Sequence, residues 1–423
     1  MTWPAGPRRG AVPALLALGA LLAACGGLAT APTPTAAGGG STPAPTACPA
    51  VAASGCPSLP VVTGSPPAAT PTPTSPLATI STTAAAGPTP APLAGFQVAS
   101  VTFVSADDGW VLGTVGGNLA LARTEDGGTT WTSVPPPPTA FITSGATGWV
   151  DGVRFADQQD GWAYGSQLWV THDGGNTWAQ VVAPGLTSSG QYPIQLETAA
   201  GSVYAAVIYP ANTGVVIDSG PAAGSSLTMA STPLGFGAGP IPSGQLVLQG
   251  SAAWLIENER DTISGARLQS GTWAAWTPPC SAVGGSSAVL AASSPLDLLA
   301  VCALGFYTSQ SPTEGVFVST DGGGSFSQLA TALPAGCVGS SALASPSTSV
   351  AVVACNSGLM ATFDGGASWS TVYSGVSDVA DLGFTTASQG VAVDIDAAGT
   401  SYDVTGALLM TYDGGHTWVA VTI

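Results

Sequence analysis

The chain has 423 residues and a formal charge of −17, with 23 acidic residues against six arginines and no lysine. That balance argues against a nucleic-acid partner and against docking of the acidic part on an anionic lipid surface, since neither offers a counter-charge. It is compatible with solubility outside a cell or with a cationic partner.

Residues 1–24 read as an export signal: Arg8 and Arg9 form a positive start, and Ala11 to Ala24 is an apolar run too short to span a bilayer. The sequence Leu22-Ala23-Ala24-Cys25-Gly26 that follows resembles the bacterial lipobox. The resemblance implies lipidation of Cys25, which becomes the new N-terminus at a bacterial cell surface; an ordinary signal peptide with an incidental cysteine is the alternative. The Arg8-Arg9 pair is too bare to indicate twin-arginine export.

Residues 25–94 are rich in Pro, Thr and Ala and contain no charged residue. Such a stretch buries too little apolar surface to offset its conformational entropy, so it is expected to be a disordered tether. Mostly extended, it reaches on the order of 200 Å. Residues 95–423 hold every acid and only Arg123, Arg154, Arg260 and Arg267 as bases, so removal of the signal leaves four bases against 23 acids.

A short phrase recurs through this last region. It reads Thr124-Glu125-Asp126-Gly127-Gly128-Thr129-Thr130-Trp131 first and Thr411-Tyr412-Asp413-Gly414-Gly415-His416-Thr417-Trp418 last. Between them it returns around Asp173 and Trp178, Asp321 and Phe326, and Asp364 and Trp369. An Asp followed by two glycines makes a turn whose carboxylate accepts backbone N–H bonds while glycine takes positive φ. Each Asp is therefore expected to serve turn chemistry, and each Trp or Phe to pack between units. The spacing is 47, 148, 43 and 49 residues, and the long step holds two degraded copies, at Asp218-Ser219-Gly220 and at Ser270-Gly271-Thr272-Trp273.

Seven units result, each read as four short strands. In the first these are Val101 to Phe103, Trp110 to Gly113, Leu119 to Thr124 and Thr130 to Val134; in the last, Val379 to Phe384, Gly390 to Asp394, Ala407 to Thr411 and Thr417 to Thr422. The expected fold is all-β, a seven-bladed β-propeller, with a β-helix as the alternative. Whether the termini share a blade is left open. The phrase resembles the Asp-box, or bacterial neuraminidase repeat. With the preceding Phe103 or Phe155 and Asp-Gly-Trp it is most similar to the propeller family of the photosystem II assembly factor. That resemblance implies the architecture and a non-catalytic binding scaffold.

Cys280, Cys302, Cys337 and Cys355 are an even set in an exported domain and favour disulfides. One bridge inside the fifth unit and one inside the sixth are expected, among three possible connectivities, with Cys48 and Cys56 closing a small loop in the tether. The spacing offers no metal site, and no cofactor is implied. No arginine sits in the Phe-Arg-Ile-Pro phrase of sialidases, a departure that removes the basis for that activity. Two charged stretches read as loops on the ligand face of the ring. Glu257, Glu259, Arg260 and Asp261 lie in the fourth unit, and Asp394, Asp396 and Asp403 in the seventh. Glu257, Glu259, Asp394 and Asp396 are the candidate catalytic carboxylates of a glycosidase. Arg260, Asp261, Asp403, Trp149 and Trp254 are candidate binding residues, with Trp276 a further aromatic. The sequence reading is a monomeric, lipid-anchored, extracytoplasmic scaffold for another protein or glycan, with a carbohydrate-binding protein or glycoside hydrolase as the alternative.

Overall fold

The computed structural model describes residues 93–141, 148–184, 193–208, 214–231, 243–259, 262–304, 313–334, 336–337, 339–376, 378–395 and 406–423. The signal, the tether as far as residue 92, Cys25, Cys48, Cys56, Arg260, Asp261, Asp396 and Asp403 lie outside these residues, as does the side chain of Glu259.

Seven antiparallel sheets follow one another along the chain, each a meander in which consecutive strands pair. Blade 1 comprises Phe96–Phe103, Gly109–Val115, Asn118–Thr124 and Thr132–Val134, and blade 7 comprises Val379–Phe384, Gly390–Asp394, Ala407–Thr411 and Val419–Val421. Blade 2 departs from the four-strand expectation, because Ala140–Phe141 adds a fifth strand parallel to its first, Trp149–Phe155. The fold is a seven-bladed β-propeller. No blade is shared between the termini: blades 1 and 7 are each complete, and Leu93 N–H donates to Ile423 C=O at 2.8 Å where they meet.

The core is divided into seven apolar clusters, one between each pair of neighbouring blades. Trp110, Leu112 and Leu121 of blade 1 pack on Val153, Phe155 and Trp169 of blade 2, and Val98 and Val111 pack on Val393 and Met410 of blade 7. Second strands are covered on both faces and read as unbroken apolar runs; Gly161–Gly165 and Ala351–Cys355 are buried throughout. Outer strands such as Thr132–Val134 and Ser327–Gln328 are short and mostly exposed, which blunts their free edges.

A register shift recurs near the start of the innermost strand in five blades, for example between Val98 and Ser100 and between Val379 and Asp381. The bulge lets Val98 and Val101 both enter the blade 7 interface, while Ser100 and Thr102 reach blade 2. Both domain disulfides are those expected within the fifth and sixth units, Cys280 to Cys302 and Cys337 to Cys355. Each ties the segment leading into a blade to that blade's second strand. Cys280 lies on a single helical turn, Pro279–Ala282.

Candidate functional site

The repeated turn closes on itself. Thr124 Oγ1 donates to Asp126 Oδ1 at 2.9 Å and accepts from Gly128 N–H at 2.9 Å, while Thr130 donates its N–H to Oδ1 at 2.8 Å and its hydroxyl to Oδ2 at 2.7 Å. The same pattern surrounds Asp173, Asp321, Asp364 and Asp413, with hydroxyl-to-Oδ2 distances of 2.6 to 2.7 Å. These bonds favour the ionised carboxyl. The N–H and hydroxyl of Ser325 hold Asp321 at about 2, and the hydroxyl and N–H of Ser368 hold Asp364 at about 2. At Asp413, burial opposes the ionised form, but the Thr417 bonds outweigh it and the value again falls to about 2. Gly128 adopts φ +90, and a Cβ there would lie 2.6 Å from Met410 Sδ of blade 7. The turn aspartates thus spend their carboxylates on the fold.

Three tryptophans, on blades 1, 2 and 4, each lock their blade to the turn of the next. The indole N–H of Trp110 donates to Gly174 C=O at 3.0 Å, that of Trp162 to Ala222 C=O at 3.0 Å and that of Trp254 to Gly322 C=O at 3.1 Å. This alignment corrects the degraded third copy, because Ala222 occupies the place of Gly174 and Pro221 the place of Asp173. Asp218 is instead buried on Val215–Pro221, paired with Ala205 and Met229. The fourth copy does fall on a turn, the two-residue Ser270-Gly271 hairpin at φ +49 and +80, with Trp273 buried beyond it.

Two further placements differ from the sequence reading. Glu257 is not on a loop: it lies within the strand Ala252–Glu259, opposite Gly244 and Ser264, and is 0% exposed. A chain this poor in charge made any acidic run look like a loop, yet the strand continues to Glu259. Trp254 is 2% exposed and spends its indole N–H on Gly322, so it is core rather than a stacking surface. Trp276 likewise donates to Gly323 C=O at 2.8 Å and packs beside Phe326. Asp394 ends the second strand of blade 7, half-buried opposite Val379 and Ala407. Trp149, half-buried, begins the innermost strand of blade 2 at the same end of the ring.

Among the described residues, one densely connected polar group had no signal in the sequence. Arg154, on the innermost strand of blade 2, donates through Nε to Glu197 of blade 3 at 2.9 Å and through Nη2 to Asp381 of blade 7 at 2.8 Å. Its Nη1 donates to Ser100 Oγ of blade 1 at 3.0 Å and to Val153 C=O at 2.8 Å. Asp381 Oδ2 also accepts Val101 N–H at 3.1 Å. One guanidinium therefore joins four blades. Burial disfavours its charge, but Asp381 and Glu197 more than compensate and hold it protonated; burial likewise opposes ionisation of Asp381, and Arg154 keeps its carboxyl below the usual range. Nothing short of its sequence neighbours 227 positions away could have disclosed this pairing.

No family model matches the chain, and no curated protein matches it. Solved structures do. YCF48 bound to a D1 peptide superposes with a TM-score of 0.51 at 17% identity, covering 75% of this chain and 94% of that one. YCF48 from Cyanidioschyzon merolae gives 0.51 at 15% identity, over 75% and 96%. A puromycin-hydrolyzing peptidase of Mycobacterium tuberculosis gives 0.51 at 11% identity, and there the match spans 78% of this chain and 53% of the peptidase. At these identities the likeness is one of fold.

Proposed function

We propose that the chain is an extracytoplasmic binding scaffold whose propeller holds a segment of another protein at the ligand face of the ring, without chemistry at that face. The observation that carries this reading is the fate of one of the candidate carboxylates. Glu257 is sealed inside a blade, so it cannot face Asp394 across an open cleft as a glycosidase pair must. The shared fold with a YCF48 propeller bound to a D1 peptide supports a protein ligand. Arg154 ties the inner strands of four consecutive blades together, and a scaffold held in this way lowers the ordering cost of binding.

Lipidation of Cys25 and a 25–94 tether belong to the same proposal, and would hold the propeller outside a bacterial membrane within reach of neighbouring envelope proteins. The test is to incubate the fluorescently labelled full chain with an array of peptides tiling bacterial envelope proteins and with a glycan array. Saturable binding to a restricted peptide set, weakened by Asp394→Ala, is expected. Binding confined to glycans, with release of reducing ends, would replace this reading with the carbohydrate one.

A further inference from the structure

In three of the turns the residue before the Asp reaches toward the next blade. Tyr412 donates its hydroxyl to Gly127 C=O of blade 1 at 3.0 Å, and Phe363 stacks on His416 of blade 7 at 3.7 Å between ring centroids. In blade 2 that residue is His172, and its surroundings are chemically different. Its Nδ1 lies 2.6 Å from Asp160 Oδ1, and its Nε2 lies 2.8 Å from Ser225 Oγ of blade 3. A carboxylate accepts, so Nδ1 carries the proton, Nε2 is the acceptor, and the Ser225 hydroxyl donates to it. The order serine, imidazole, carboxylate and both distances match the requirement for an activated hydroxyl nucleophile.

Each member is held by its own turn. Asp160 is fixed through its N–H to Asp157 Oδ1 at 2.8 Å and through its C=O, which accepts from Ala156 N–H at 2.9 Å. Its side chain is 15% exposed while that of His172 is 40% exposed, an inner carboxylate behind an accessible base. Ser225 is exposed on the turn after Val215–Pro221, a turn anchored by buried Leu227 and by Gly224 N–H on Pro221 C=O at 2.9 Å. Beside the imidazole, Arg123, Gln158, Gln159 and Asp173 join His172 in lining an open depression of about 300 Å³. Its walls are polar and adjoin the base; Ser225 stands outside them, exposed on its own turn.

We propose that Ser225, His172 and Asp160 form a second site that hydrolyses small carboxylic esters able to reach an exposed serine, on the rim opposite the ligand face. Ser225 Oγ attacks the ester carbonyl carbon as its proton passes to His172 Nε2. Collapse of the tetrahedral adduct breaks the bond to the alkoxy oxygen, which leaves as the alcohol with that proton. Water, deprotonated by the same nitrogen, then attacks the acyl-serine; the acid leaves and the Ser225 hydroxyl is restored. Asp160 is the positioning residue, holding the imidazole tautomer.

The experiment exposes the purified full chain to a fluorophosphonate probe and to p-nitrophenyl acetate. Stoichiometric labelling mapped to Ser225 is expected, with hydrolysis lowered roughly hundredfold by Ser225→Ala and by His172→Gln. Asp160→Asn is expected to slow labelling about tenfold, with Asp160→Glu restoring part of the rate, since a carboxylate rather than a shape is required. Ser225 is exposed, so Ser225→Ala leaves the melting temperature unchanged and separates chemistry from folding. No label at Ser225 on the folded chain, hydrolysis by Ser225→Ala at the parent rate, or equal rates for Asp160→Asn and Asp160→Glu would each overturn the proposal and leave His172 as an inter-blade strut.

Discussion

A carboxylate that accepts bonds at both oxygens from its own turn has little left to offer a ligand, and this decides what the repeated aspartates do. In the folded chain Asp321, Asp364 and Asp413 ionise at about 2, below the roughly 3.9 of an unfolded aspartate. Their stabilisation is therefore complete above about pH 4 and is lost as pH falls toward the folded value. Melting temperature should decline between about pH 4 and pH 2, and Asp364→Asn should melt below the parent at pH 7 with the gap narrowing at pH 2. A gap independent of pH would assign the effect to shape instead of charge. Arg154 is a sharper case. Arg154→Met leaves Asp381 and Glu197 facing each other without a cation, and urea unfolding is expected to show a loss of about 3 kcal/mol. Adding Asp381→Asn should recover part of it, because the amide oxygen still accepts from Val101. An unchanged midpoint for Arg154→Met would remove the ion pairs from any role in closing the ring.

At the scale of the strand, the apolar runs and repeated turns told nearly everything about existence and little about edges. The last strand of blade 1 begins at Thr132 instead of Thr130, because Thr130 spends its N–H on Asp126 and belongs to the turn; Thr417 does the same for Asp413 in blade 7. The first strand starts at Phe96 and not Val101, since the bulge after Val98 breaks the alternation that marks a strand. Glu257 was misplaced because charge was equated with a loop, and Asp218 because its Ser-Gly neighbours imitate the turn three residues early. Arg154 and the relay at His172 could not be read at all, being built from residues on different blades. The disulfides were legible, since each stays within one unit. They close segments separated by 22 and 18 residues, so each contributes about 3 kcal/mol by restricting the unfolded chain. Cys337→Ser with Cys355→Ser should lower the urea midpoint accordingly, and the parent under reductant should fall further because both bridges open. Equal midpoints with and without reductant would contradict this.

For the molecule as a whole, a ring of complete blades leaves its two rims free for different work. The turns with their buried serine and threonine hydroxyls crowd one rim, where the His172 relay sits, while Trp149 and Asp394 mark the other. The binding proposal lives on that second rim, and its most direct test is site-specific photocrosslinking in intact cells. A photoreactive amino acid in place of Asp394 is compared with one in place of Asn176, exposed on a turn of the first rim. A discrete crosslinked protein from position 394, absent from position 176 and competed away by excess purified chain, is the expected result. Crosslinking that is equal from both rims, or absent from position 394, would contradict a scaffold that holds its partner at the ligand face.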